Sequence, residues 1–239
     1  EKIDAQKIIF LQSDIEKLRV EDLNSNSSQF QKINKIVSLY YDRYRESLEK
    51  RKRLLYTHKF NFEKDEYINL EDRSAFFINS DEKDEHQRKI LKNEILNLLL
   101  ADNELKDAKK ELKELYAERI SSLSKIRESD RFGFMANNLL SMLDPHASYF
   151  SERDLENWNL RMNLSFEGIG ALLSYENERA KIQELMPGGP AIGSNKIKVG
   201  DKILKVGQGI DGRLKNVVGW RLDDIVQLIR GEEGTIVRL

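Results

Sequence analysis

Two glycines that flank a single apolar residue form the stretch of this chain whose residue types are best suited to chemistry. Gly168, Ile169, Gly170 and Ala171 come directly before a strand-like run at residues 171–175. Glycine allows positive φ angles and lets a ligand approach the backbone closely. Such a loop can direct successive N–H groups inward as an anion-binding nest. The stretch therefore predicts a backbone anion site beside a strand, with an ordinary bulge in a sheet as the alternative.

The strand after this loop, including Leu172, offers a second binding feature if its edge is free. An extended peptide could then join it as a further strand, and a carboxylate-binding loop beside such an edge is how PDZ domains capture C-terminal peptides. Charge-assisted hydrogen bonds to a carboxylate contribute about 1.5–3 kcal/mol each. We therefore expect a peptide ligand held by its terminal carboxylate.

An amphipathic helix predicted at residues 220–230, ended by Gly231, is expected to form the other wall of this groove. Helical spacing places Ile225 and Leu228 on one face, which we assign to the core, and a second set on a neighbouring face, which we assign to the groove. Because that second set is apolar, we expect a nonpolar C-terminus as ligand. The predicted binding residues are Gly168, Ile169, Gly170, Ala171, Leu172, Leu222, Val226 and Ile229.

The segments around this helix occur in a recognisable order. Residues 181–185 alternate as a half-buried strand, and residues 187–191 (PGGPA) form a turn in which Pro190 can open a short helix. Residues 199–206 predict a tight turn into another alternating strand, and residues 235–239 begin a last one. The PGG turn lacks the Lys-Ser/Thr ending of a phosphate-binding loop, so we interpret it as structural.

The ordered motifs EGIGA, GGPA, KVGDKILKVG and GWRLDDIVQLIRGEEGTIVRL resemble the PDZ domain of the C-terminal processing peptidases, also called tail-specific proteases. In that family the PDZ domain is circularly permuted, so that the glycine loop lies near its start. The segment LDPHASYFS at residues 143–151 resembles the one that precedes this PDZ domain. Residues 10–15 and 67–74 carry a weaker similarity to the helical N-terminal region of the longer, periplasmic branch.

This resemblance implies a fragment that recognises substrates for a tail-specific serine endopeptidase. Its partners would be the C-terminal tails of protein substrates and an adaptor protein, and its parent would be periplasmic in a Gram-negative bacterium. The family's serine nucleophile and lysine base lie in a domain after the PDZ domain, and no segment up to Leu239 matches that context, so we assign no catalytic residue. Tail binding could also reposition the PDZ domain as a switch.

Two other functions remain open at this point. The chain could belong to a non-catalytic PDZ adaptor or scaffold, which the reading frame after Leu239 would distinguish from a protease. Alternatively, the helical region could dominate and dock another protein, in which case residues 1–130 alone should bind that partner.

Composition excludes several other classes of function. The 239 residues hold 40 Lys and Arg against 41 Asp and Glu, a balance that gives no reason to expect nucleic acid or an anionic membrane as partner. No apolar run of about 18 residues is present, and the first residues are not a signal peptide. The chain has no cysteine, and His58, His86 and His146 lack a second ligand at helical spacing, so we expect neither metal nor cofactor.

The first half of the chain shows helical periodicity. Apolar stripes predict helices over residues 1–23 and from about residue 30 onward with Ser28 as a cap, and the basic run at residues 49–53 is interpreted as a solvated helix face. Residues 58–84 are expected to be loops with a short extended segment at 66–70. Further helices are predicted at residues 85–100, 103–126, 131–143 and 154–163.

Together these patterns predict an α+β chain. Its parts would be a mostly helical N-terminal domain at residues 1–130, a helical connector at 131–163, and a permuted PDZ domain at 164–239. We expect this PDZ domain to be incomplete at its C-terminal end, since a strand should follow the last one begun here, and its sheet would then expose an edge.

Overall fold

The computed structural model describes residues 2–24, 29–68, 73–162 and 168–239. The chain divides into two compact units, Glu1–Ser151 and Glu152–Leu239. The first is mostly helical, and the second contains small antiparallel sheets with short helices. The predicted α+β class is therefore confirmed.

Helices build the first unit around one long central helix. After a 3₁₀ turn at Lys2–Asp4, the helices are α1 (Gln12–Asn24), α2 (Gln29–Thr57), α3 (Ser80–Leu100), α4 (Leu105–Ser124) and α5 (Glu128–Leu143). The central helix is α2, which packs against α3, α4 and α5. As predicted, α5 ends just before Asp144-Pro145, because a residue that precedes proline avoids the helical region.

Apolar residues at helical spacing make the core of this unit. Each of α2, α3 and α4 contributes two residues four or seven positions apart, so that both lie on one face of the helix. The buried cluster consists of Leu48, Leu55, Leu91, Ile95, Leu112 and Tyr116.

The prediction of a helix over residues 1–23 is wrong for its first half, since α1 begins only at Gln12. The carboxylate of Asp4 accepts hydrogen bonds from the N–H groups of Ile8, Ile9 and Phe10, at 2.9–3.0 Å, and these bonds replace the helical ones. The side chains of Ile9 and Phe10 are buried although the backbone here is not helical.

The basic run at residues 49–53 is helical, but the prediction of a solvated face is wrong at Arg51. Only 8% of Arg51 is exposed. Its Nε donates to Oε1 of Gln87 at 2.8 Å, and its Nη1 lies 3.3 Å from Oε1 of Glu94. The neighbouring helix thus supplies partners that a local charge pattern cannot show.

Helix α3 begins at Ser80, five residues before the predicted start. Asn79 caps it, because its side-chain oxygen accepts from the N–H of Glu82 at 2.9 Å, while the Glu82 carboxylate accepts from the N–H of Ile78 at 3.1 Å. Residues 66–68 lie in neither a helix nor a strand, and the expected extended segment there stays a prediction. Its remainder, 69–70, and the proposed cap Ser28 lie outside the described residues.

The second unit begins with a helix and continues through two three-stranded sheets. Its elements are α6 (Glu152–Met162), β1 (Ala171–Glu176), β2 (Arg179–Leu185), α7 (Pro190–Gly193), β3 (Lys202–Ile203), β4 (Lys205–Gln208), β5 (Lys215–Asn216), α8 (Leu222–Ile229) and β6 (Val237–Arg238). The strand orders in the two sheets are β1-β2-β3 and β5-β4-β6. The predicted single strand within residues 199–206 is divided, since β3 and β4 belong to different sheets, and β5 was not predicted.

A single hydrophobic cluster holds these sheets and α8 together. Helix α8 packs against β1, β2 and β4. The buried residues of the cluster are Ala180, Ile182, Ile203, Val206, Val217, Ile225 and Ile229.

Among the helices in the described part of the chain, none combines the length and apolar character needed to cross a bilayer.

Candidate peptide-binding site

Strand β1 lies at the edge of its sheet. It pairs antiparallel with β2, from Ala171 opposite Leu185 to Glu176 opposite Arg179, with a bulge near Leu172. Within the described residues, β2 is the sole strand that pairs with β1. The opposite edge of β1 can therefore offer backbone N–H and C=O groups to another strand.

The glycine loop leads directly into this edge strand. Gly168 and Gly170 both adopt positive φ, 151° and 69°, and Ile169 between them packs against the core cluster. Among the backbone hydrogen bonds that join described residues, the N–H groups of Ile169 and Gly170 are donors in none. A Cβ placed on Gly168 would lie 3.9 Å from Cγ of Arg230, so the loop begins beside the residue that follows α8.

The glycine loop is hydrogen-bonded to residues in and directly before the PGGPA turn. The carbonyl of Ile169 accepts from the N–H of Ala191 at 2.9 Å, and the carbonyl of Gly170 accepts from the N–H of Met186 at 2.8 Å. Ala191 is buried in α7, which begins at Pro190 as predicted. The sequence identified this turn but gave no indication that it contacts the loop, since the two are separated by about twenty residues.

The residues predicted to line the groove take different positions on β1 and α8. Ala171 and Leu222 are half-buried and pack against the core cluster, Val226 is half-buried, and Leu172 is 43% exposed. Ile229 is only 5% exposed and belongs to the core itself, together with Ile225. Ile229 thus offers little surface to a ligand in this conformation, and contact of the whole set with a ligand stays a prediction.

Charged side chains lie at the ends of these elements. Lys181 pairs with Glu176 at 2.7 Å, at the end of β1 away from the loop, and this hydrogen bond lowers the pKa of Glu176. Arg221 pairs with Asp223 at 3.1 Å where α8 begins. Between these ends lie the aliphatic side chains of Leu172, Leu222 and Val226, which would suit a nonpolar ligand.

Each of the three histidines contacts different neighbours. His58 packs on Phe60 with ring centroids 4.7 Å apart, and His86 lies 5.3 Å from Phe77, where burial lowers its pKa. The backbone N–H of His146 donates to Oδ1 of Asp144 at 2.8 Å. Across the described ranges, no group of three or more His, Asp or Glu side chains is arranged to hold a metal ion.

Comparison with known proteins adds two family matches. The model of the tail-specific protease N-terminal domain matches residues 1–153, and the model of the PDZ domain matches residues 157–239. The tail-specific protease of Haemophilus influenzae is 42% identical over 149 residues, which cover 62% of this chain and 21% of that protein. The carboxy-terminal processing protease CtpA of Bacillus subtilis is 32% identical over 107 residues, covering 45% and 22%.

A solved structure also shares sequence with this chain. It is the PDZ domain of a carboxy-terminal protease from Vibrio cholerae in complex with peptide, 48% identical, with a TM-score of 0.29, and it covers 30% of this chain and 71% of that one. The chain spans about a fifth of the length of the curated relatives described above.

Proposed function

This chain belongs to the tail-specific protease family, and from this membership we propose that its second unit binds the nonpolar C-terminal tails of protein substrates. A serine protease domain outside residues 1–239 would then cleave the captured substrate. The observation that carries the proposal is the edge of β1 with which no described strand pairs, next to the glycine loop and in contact with the amphipathic helix α8.

The tail would bind as an extra strand on β1. Its terminal carboxylate would accept hydrogen bonds from the N–H groups around Gly168 to Ala171, and its backbone would pair with the strand. Side chains alternate along a strand, so every second residue of the tail would point towards α8. The aliphatic side chains of Leu222 and Val226 would select apolar residues there.

Fluorescence anisotropy tests this proposal with one labelled peptide that ends in small apolar residues. The peptide is prepared as a free acid and as a C-terminal amide, and both are titrated with the full chain. Because amidation removes the charge that the loop would bind, we expect the acid to bind at least about tenfold more tightly. Equal binding of the two forms would indicate nonspecific apolar contact and contradict the proposal.

A lack of binding by either form calls for the same titration on a longer chain that continues past Leu239. Recovery of binding there would show that tail recognition requires residues after Leu239, and continued failure would contradict tail recognition.

We also propose that the parent protein is periplasmic. Cell fractionation with an antibody to this chain tests this, and recovery of the protein with cytoplasmic markers would contradict it.

A further inference from the structure

The carboxylate-binding loop is in direct backbone contact with the PGGPA turn at two glycines. A Cβ built on Gly170 would lie 2.7 Å from Cα of Gly189, and a Cβ built on Gly189 would lie 2.9 Å from Cα of Gly170. Such distances are shorter than real Cβ contacts, so neither position accepts a side chain without movement of the other backbone.

The two glycines are required for different reasons. Gly170 has φ of 69°, which only glycine adopts readily. Gly189 has φ of −74° and ψ of 152°, an extended conformation open to any residue. The closest contact of a Cβ at Gly189 would therefore be with the loop, at 2.9 Å from Cα of Gly170, followed by the carbonyl oxygen of Met186 at 3.1 Å.

Hydrogen bonds on either side of this contact fix the loop's orientation. Met186 and Ala191 flank Gly189 in sequence and donate to the carbonyls of Gly170 and Ile169, at 2.8 and 2.9 Å. Because each peptide unit is planar, holding a carbonyl on one side directs the N–H of the following residue to the other. Those N–H groups belong to Gly170 and Ala171, in the loop proposed to bind the carboxylate.

We propose that Gly189 is a positioning residue for recognition of the substrate carboxylate, because it lets the PGGPA turn support the glycine loop at backbone contact distance. This inference rests on the proposed function. A side chain at Gly189 would displace the loop, so its N–H groups would no longer converge on the carboxylate, while the apolar groove at α8 would be unchanged.

Three glycine-to-alanine variants of the full chain separate positioning from general stability. Gly189→Ala places a methyl group against the loop. Gly188→Ala strains the same turn, since φ is 80° there, but its Cβ meets no atom within 4 Å. Gly193→Ala in α7 has neither a positive φ nor an atom within 4 Å, and it serves as the neutral control.

The ratio of acid to amide affinity is the readout, because a purely structural loss would reduce the active fraction and leave this ratio unchanged. We expect Gly189→Ala to weaken binding of the acid about tenfold and leave binding of the amide unchanged. Gly188→Ala and Gly193→Ala should keep the ratio of the wild type. A wild-type ratio in Gly189→Ala would overturn the inference and leave the proposed function intact, whereas a wild-type chain that does not distinguish acid from amide would overturn both.

Hydrogen exchange on the wild-type chain provides a test that does not depend on the folding of a variant. If the free-acid peptide binds only when the loop has the conformation seen here, the bound peptide should suppress local opening motions that break the hydrogen bonds donated by Met186 and Ala191. Exchange of these two amides should slow more than that of Gly209, which follows β4 and whose N–H donates to the carbonyl of Ile236 at 2.7 Å. Equal slowing at all three positions, or none at Met186 and Ala191, would contradict a role for the turn in positioning the loop.

Discussion

Val226 is the half-buried residue of α8 at which a single charge should most directly affect tail binding. In the Val226→Asp variant, a carboxylate would stand in the aliphatic wall, where burial against a nonpolar tail leaves the charge unsolvated and unpaired. We expect affinity for the free-acid peptide to fall at least about tenfold in fluorescence anisotropy. The matched control is Val199→Asp, since Val199 is 62% exposed in a turn outside the groove. Tail binding that survives Val226→Asp would contradict the assignment of this residue to the groove.

Glu66 gives the first unit a pH-dependent contribution to stability. Arg88 donates to its carboxylate at 2.6 Å and Lys92 bonds it as well, and these hydrogen bonds lower its pKa to about 2. A carboxyl group whose pKa is lower in the folded chain than in the unfolded chain stabilises the fold at pH values above the ordinary pKa of 4.5. This contribution is lost as the pH falls through about 2.

The substitution Glu66→Gln should therefore destabilise the chain at pH 7 by about 1 kcal/mol, a partly solvent-screened value. The deficit in the free energy of unfolding of this variant, relative to the wild type, should shrink as the pH falls from about 4.5 towards 2. Urea unfolding at a series of pH values measures this, with Glu63→Gln as control because Glu63 is exposed in the same segment. A deficit that is constant over this range would exclude the charge as its cause.

Among elements, α3 offers the clearest measurement of a helix boundary. Asn79→Ala removes the side-chain oxygen that accepts from Glu82, and we expect a loss of about 1 kcal/mol in the free energy of unfolding. Asn97→Ala makes the same change at an exposed position in the last turn of the helix, where alanine is the better helix former and the effect should be neutral or favourable. Equal losses in the two variants would contradict the capping role.

Element types followed from local patterns, but several boundaries did not. The Asn79 and Glu82 pair is a local signal that could have predicted the start of α3, since a cap residue stands three positions before an acceptor. No local signal showed that Asp4 would hold the next residues out of a helix, because its three hydrogen bonds compete with helical bonds that the apolar stripe equally allows. The division of β3 from β4 likewise depends on pairing with strands distant in sequence, since β3 pairs with β2 and β4 with β6.

At the scale of the whole molecule, the order of the motifs indicated the PDZ domain, whereas periodicity alone did not predict which face of α8 is buried. That the glycine loop and α8 form two parts of one groove stays a prediction. Helical spacing grouped Val226 with Ile229, yet the rotation of α8 about its axis is set by packing against β2 and β4, which buries Ile229. Similarly, the contact between Gly170 and Gly189 arises only when β1 and β2 have paired.

The second unit should fold and bind tails by itself, because its core draws on residues of that unit alone. We expect residues 152–239 to bind the free-acid peptide with the affinity of the full chain and to retain the preference over the amide.

A matched pair of core substitutions in the full chain extends the test. Leu91→Ala lies in the core of the first unit and should cost about 2–5 kcal/mol of its stability without changing peptide affinity, whereas Ile225→Ala should impair peptide binding. Loss of binding in folded Leu91→Ala protein would show that recognition depends on the helical unit as well, and would contradict its assignment to the second unit alone.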